Sequence, residues 1–187
     1  MPDNTKIALV RTENRIEGVT RSINLLNINP VNGKEVILKP NFNTADPCPG
    51  STHYDTLYAL VEKLQIMGAK HITLAERSGP ANTRECMQQK DIFKMADELG
   101  FDIVNLEEVG PEGWVRIQPE GGHWENGFEL ARIYNEADCV VQTCCLKTHG
   151  FGGHFSLSLK LTVGMVAGRA TGHPYMTEMH KSPTSAR

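Results

Sequence analysis

The sequence predicts an α/β fold, a three-layer Rossmann-like domain on a mainly parallel sheet, and three observations carry that prediction. Two short valine- and isoleucine-rich runs, EVILK at 35–39 and CVVQT at 139–143, are bounded by polar residues, as strands buried on both faces are. Apolar residues Leu57, Leu60, Val61, Leu64 and Met67 recur at helical spacing, stop at Gly68, and lead into a β-type run at 71–76. The same unit returns with Ile92, Met95, Ala96 and Leu99, then Gly100 and a run at 101–106. Repeated helix, glycine, strand units imply right-handed crossovers and therefore parallel pairing. Strands are expected at 36–38, 72–74, 103–104 and 139–142, with 139–143 central in the sheet.

The elements follow in order. Residues 6–11 form a β-type run, and Ile16, Val19, Ile23 and Leu26 mark a helix closed by Pro30 and Gly33. The strand at 35–39 ends in Pro40-Asn41 and a long loop, FNTADPCPG, that contains Asp46; loops of this length in compact domains are usually functional or disordered. Thr52 with Asp55 has the pattern of a capping box, and Gly68 suits the position just past a helix end. The strand at 71–76 delivers Glu76, Arg77 and Ser78, after which Asn82 or Thr83 caps one helix reaching Leu99. Between 107 and 126 the pattern weakens: 114–117 suits an edge strand, in a hairpin with 128–133, before the chain returns through 134–138 to the run at 139–143.

A length of 187 residues suits one α/β domain over 1–187 with a real core. A net charge of -3, acidic and basic residues mixed throughout, and few aromatics argue against a nucleic-acid surface. No run approaches the roughly 18 apolar residues of a membrane span, and MPDNTKIALV lacks the layout of a signal peptide, so a cytoplasmic location and no membrane partner are expected. The five cysteines, Cys48, Cys86, Cys139, Cys144 and Cys145, are odd in number and show no CxxC spacing, so neither a disulfide framework nor a self-contained iron–sulfur site is signalled. Cys139 reads as core; Cys144 and Cys145 read as structure or as thiol chemistry at a strand end.

The stretch 139–168 holds the candidate site. Lys147, Thr148 and His149 directly follow a strand, where ligands bind in open α/β sheets. Gly150, Gly152 and Gly153 permit close backbone approach and an anion-binding concavity of N–H groups. No GxGxxG or P-loop motif accompanies them. Residues 155–163 give two answers: Phe155, Leu157, Leu159, Leu161 and Val163 alternate with polar residues as in a strand, while the chain context suits a helix. Either element presents Lys160.

These residues suggest an enzyme, or half of one, that binds an anionic small molecule, phosphate or carboxylate, at the carboxyl edge of the sheet. Lys39, Lys147 and Lys160 supply charge, Asn41, Thr148, Gly152 and Gly153 orient the ligand, and His149 or Glu76 moves protons. Lys39 and Lys147 are expected on one rim, lining a concave pocket with the glycine loop, and a carboxylate such as Glu76 or Asp46 between them would make the cluster a structural ion pair. A metal-binding or redox-accessory reading draws on His149, His154 and His173 with Cys48 or Cys144, and a third reading is a non-catalytic interaction module. Met165, Val166, Met176 and Met179 suggest an apolar surface covered by a second copy or a partner subunit.

The motifs resemble the domain-of-unknown-function family 362. The resemblance rests on Lys39-Pro40-Asn41, on Lys147-Thr148-His149, on Lys160 with Gly164, and on His173 where that family often has a further histidine. It covers the chain from about Lys34 onward. The family usually has asparagine after the third lysine, where this chain has Leu161, and its members are usually longer, sometimes with a ferredoxin-like module. The resemblance therefore implies that the chain is the N-terminal part of a longer family domain, and that any iron–sulfur cluster belongs to another module.

Overall fold

The computed structural model describes residues 6–120, 124, 126–148 and 155–168. Its sheet has four parallel strands in the order β3-β2-β1-β6: β1 is Glu35–Lys39, β2 His71–Glu76, β3 Asp102–Asn105 and β6 Cys139–Gln142. A separate antiparallel pair joins β4, Trp114–Ile117, to β5, Phe128–Ala131. The registers Leu38↔Leu74 and Lys39↔Gln142 bring the carboxyl ends of β1, β2 and β6 to one edge.

Alternation along the strands builds two cores. Val36 and Leu38 of β1 and Ile72 and Leu74 of β2 pack against Leu57, Val61 and Leu64 of α2 (Tyr54–Ile66), Met87 of α3 (Thr83–Gln89) and Met95 of α4 (Ile92–Leu99). Val19 and Ile23 of α1 (Arg15–Leu26) lie on the same layer, half-buried. On the opposite face, Ile37 and Ala75 pack against Trp114, Ala131, Met165 and Tyr134 of α5 (Arg132–Asn135), and the Tyr134 hydroxyl donates to the Ala75 carbonyl at 2.5 Å. Helices therefore form one outer layer, and the hairpin with α5 forms the other. Full burial of a leucine or valine contributes about 1.5–3 kcal/mol, so these two clusters hold the layers together.

Local chemistry fixes the helix ends. Asn14 caps α1 by accepting from the Glu17 N–H at 3.1 Å, and Asn82 caps α3 by accepting from the Glu85 N–H at 3.0 Å. The cap of α2 is His53, whose Nδ1 accepts from the Asp55 N–H at 3.2 Å, and not Thr52, whose hydroxyl is drawn away to a neighbouring strand end. The expected single helix to Leu99 is two: Asp91 takes a left-handed conformation, φ 55°, breaking the ladder between α3 and α4.

Three other expectations are corrected. Residues 6–11 form no strand; they have no ladder partner, and Ile7 and Leu9 stand 87% and 93% exposed. The run at 139–143 is not central and not buried on both faces, because β6 ends the sheet on its side among the described residues, leaving Val140 37% exposed. Met165 is buried and Val166 half-buried in the second core, so neither contributes to an apolar surface; Met176 and Met179 lie outside the described residues. In 155–163 both readings find part of the answer. Ser156 makes an isolated bridge with Lys147, and the chain then turns into α6, Ser158–Leu161, and a 3₁₀ turn, Thr162–Met165.

Among the described residues no helix is long and apolar enough to cross a membrane.

Candidate functional site

Lys39 closes β1 and Glu76 closes β2, and between these two strand ends the ammonium meets the carboxylate at 2.6 Å with both side chains buried. Glu76 accepts further hydrogen bonds from the Phe42 N–H at 3.0 Å and the Arg77 N–H at 2.8 Å, and Lys39 also donates to the Pro40 carbonyl at 2.8 Å. Burial pushes the Glu76 carboxyl above its ordinary pKa and the Lys39 ammonium below its own; their mutual attraction works against both shifts, and the two N–H groups on Glu76 work against its own. Lys39 therefore does not reach the rim: its stem is enclosed between β2 and β6, and Glu76 occupies the place between cations that the sequence left open to it.

The segment carrying Lys160 lies over this pair. At Gly164 an added Cβ would meet Lys39 Cε and Nζ at 2.8 Å, so the backbone there touches the ion pair directly. Arg77 fastens the segment, donating through Nη2 to the Val163 carbonyl at 2.6 Å and through Nε to the Val166 carbonyl at 2.8 Å, with Nη1 on the Ser78 carbonyl at 3.0 Å. Burial lowers the Arg77 pKa, and Glu76 and Glu107 oppose the shift. The Lys160 ammonium makes no hydrogen bond or ion pair among the described residues. Its pKa is lowered first by partial desolvation, then by repulsion from Lys147, Arg77 and Lys39, although the side chain keeps contact with solvent.

The opening between β1 and β6 is the point where strand order reverses, since β2 and β3 lie on one side of β1 and β6 on the other. Thr52 bridges it: the hydroxyl accepts from the Asn41 N–H at 2.9 Å and lies 3.0 Å from both the carbonyl and the hydroxyl of Thr143. The Thr143 N–H extends the sheet to the Lys39 carbonyl at 3.0 Å, and Lys147 donates to the Gly50 carbonyl from across the loop. Asn41 is almost fully buried, yet its side-chain amide has no hydrogen bond among the described residues.

The structure thus gathers Lys39, Glu76, Asn41, Lys147 and Lys160 at one edge, with Thr148 exposed beside Lys147. His149, Gly150, Gly152, Gly153, His154 and His173 lie outside the described residues. Cys144 is exposed, and no group of three His, Cys, Asp or Glu residues among those described is placed to hold a metal ion. Two clefts lie elsewhere, of 360 Å³ at Asp46, Asn82 and Cys86 and of 450 Å³ at Asn24, Asn27 and Lys63. Lys90 donates to the carbonyl of Asp46, which lines the first, at 3.4 Å; its ammonium lies 5.6 Å from the centre of the Phe42 ring and within electrostatic reach of Cys145, Cys48 and Cys86. Arg77, Thr52, Thr143 and Gln142 complete the site and escape the sequence reading. Gln142 ends β6 and Arg77 directly follows β2, which is a usable signal; Thr52 has the local pattern of a helix cap, which conceals its longer-range role.

A parallel α/β sheet whose polar side chains collect beyond the carboxyl ends of its strands defines the class, a Rossmann-like α/β protein. Within that class, the family model named DUF362, a domain of unknown function, matches residues 36–184, and the chain belongs to this family. No curated protein and no solved structure matches the chain.

Proposed function

We propose that this chain binds an anionic small molecule, a phosphate or a carboxylate, in the crevice between the carboxyl ends of β1 and β6, as part of an enzyme. One observation carries the reading: the Lys39, Arg77, Lys147 and Lys160 side chains converge on one edge, where Glu76 pairs with Lys39 and Glu76 and Glu107 act on Arg77, while the Lys160 ammonium has no partner among the described residues. Like charges held together cost free energy, which a bound anion offsets. In this reading Lys39 and Glu76 are the buried scaffold, Lys147 and Lys160 supply the charge, and Asn41 and Thr148 orient the ligand. His149, next to Thr148 in the chain, is the group that transfers a proton near neutral pH.

The test is thermal shift and calorimetric titration with inorganic phosphate, glycerol 3-phosphate and lactate. A ligand at 100 times its Kd stabilises the fold by about 2.7 kcal/mol, and Lys147→Met should remove that stabilisation while leaving the unliganded fold intact. A response unchanged by Lys147→Met, or none in the wild type, would reject the reading.

A further inference from the structure

Gln142 is the last residue of β6 and the register partner of Lys39, so it sits at the reversal of strand order. Its Oε1 is buried and has no hydrogen-bond partner among the described residues. A carbonyl oxygen removed from water without a donor loses its hydration and gains nothing in return, and folds seldom keep one unless something supplies the donor. The polar groups around it are directed elsewhere. Lys39 Nζ donates to Glu76 and Pro40, Lys147 Nζ to Gly50, and the Thr143 N–H to Lys39, while the Thr143 hydroxyl faces Thr52. On the neighbouring strand end, the Asn41 side-chain amide has no hydrogen bond among the described residues but keeps contact with solvent.

We infer that Gln142 accepts a hydrogen bond from the bound anion, so that the ligand is an anion carrying a hydroxyl or N–H donor beside its charged group. This rests on the anion-binding reading and narrows it. The lysines recognise charge and tolerate any anion of the right size; an unpaired acceptor on the last residue of β6 selects for a donor. Hydroxy acids and phosphorylated alcohols with a free hydroxyl have that chemistry, whereas simple alkyl phosphates and alkanoates leave the oxygen unpaired.

The experiment compares matched probes, glycerol 3-phosphate with propyl phosphate and lactate with propionate, on the wild type, Gln142→Met and Lys147→Met. Wild type is expected to prefer the hydroxylated member of each pair by about tenfold, the scale of one hydrogen bond to a buried group. Gln142→Met should bring each hydroxylated probe down to the affinity of its partner, without lowering the melting temperature of the unliganded protein, because no existing bond is lost. Lys147→Met should weaken all four probes. Equal affinities in the wild type, a preference that persists in Gln142→Met, or a lower melting temperature for that variant would each overturn the inference and leave the anion-binding reading standing. Failure of the wild type to bind any of the four probes, or binding indifferent to Lys147→Met, would remove that reading and the inference with it.

Discussion

The Lys39 ammonium and the Glu76 carboxylate meet 2.6 Å apart with their side chains 2% and 1% exposed, each contributed by the last residue of a neighbouring parallel strand. The pair ties the centre of the sheet to the loop after β1 through the Phe42 N–H, and it supports the backbone of Gly164 on its other side. Its partners are covalently remote, so its contribution separates cleanly from local secondary structure.

Removing one member should expose this dependence. Lys39→Met leaves Glu76 enclosed without its counter-ion and is expected to cost about 3–5 kcal/mol of stability in urea denaturation. The double variant Lys39→Met with Glu76→Gln should recover much of that loss, because no unpaired charge remains buried. If the double variant is as unstable as the two single losses added together, charge pairing is not what holds this edge.

Gly164→Ala tests the fit of the covering segment. The new methyl would fall 2.8 Å from Lys39 Nζ and 3.0 Å from Glu76 Oε1, and the ion pair leaves the lysine little room to yield. A loss of about 1–3 kcal/mol is expected, as for overpacking elsewhere, with the melting temperature as the measurement.

Thr52→Val keeps the shape of the side chain and removes the hydroxyl that joins Asn41 to Thr143. The buried Asn41 N–H would lose its acceptor, at a cost of about 1–3 kcal/mol. Because this bridge also joins the segments that follow β1 and β6, the variant should weaken anion binding in calorimetry, whereas a mutation at the His53 cap should alter stability alone.

The pH dependence of Lys160 has a definite sign. Its folded pKa lies below the ordinary 10.5, from desolvation and then three neighbouring cations, so between the folded and unfolded values the unfolded chain binds more protons. Stability of the unliganded protein should therefore rise as pH climbs through this window. Anion binding should do the opposite, weakening as Lys160 loses its proton, and the wild type should lose this pH dependence on Lys160→Met substitution.

How far the sequence reveals this arrangement depends on the range of the interaction concerned. The strands at Glu35–Lys39 and His71–Glu76 are legible because their apolar runs are continuous and glycines punctuate the preceding helices. Lys39 is legible as a strand-end group and Asn41 as part of the loop after it, whereas Lys147 lies five residues past the end of β6. The pairing of Lys39 with Glu76 is not fixed by either local pattern, since 37 residues separate them and Asp46 is equally available as a carboxylate. Residues 6–11 mislead for the converse reason: their composition is strand-like, but a strand exists only where a neighbour supplies hydrogen bonds. The position of β6 at the sheet border is likewise a property of strand order, which composition does not encode.

The two ends of the sheet are electrically unlike. Where the strands begin, polar side chains pair off: Lys70 lies 2.8 Å from Glu35, and a His71 ring nitrogen lies 2.9 Å from an Asp102 carboxylate oxygen. Where they finish, Lys147, Arg77 and Lys39 all act on Lys160, and the Lys160 ammonium has no acidic partner among the described residues. Under the function proposed above, the field of that cluster draws an anion toward one end of the sheet. Such a field acts on encounter more than on residence: added salt, with a screening length of about 10 Å at 0.1 M, should slow the capture of an anion far more than it hastens its release.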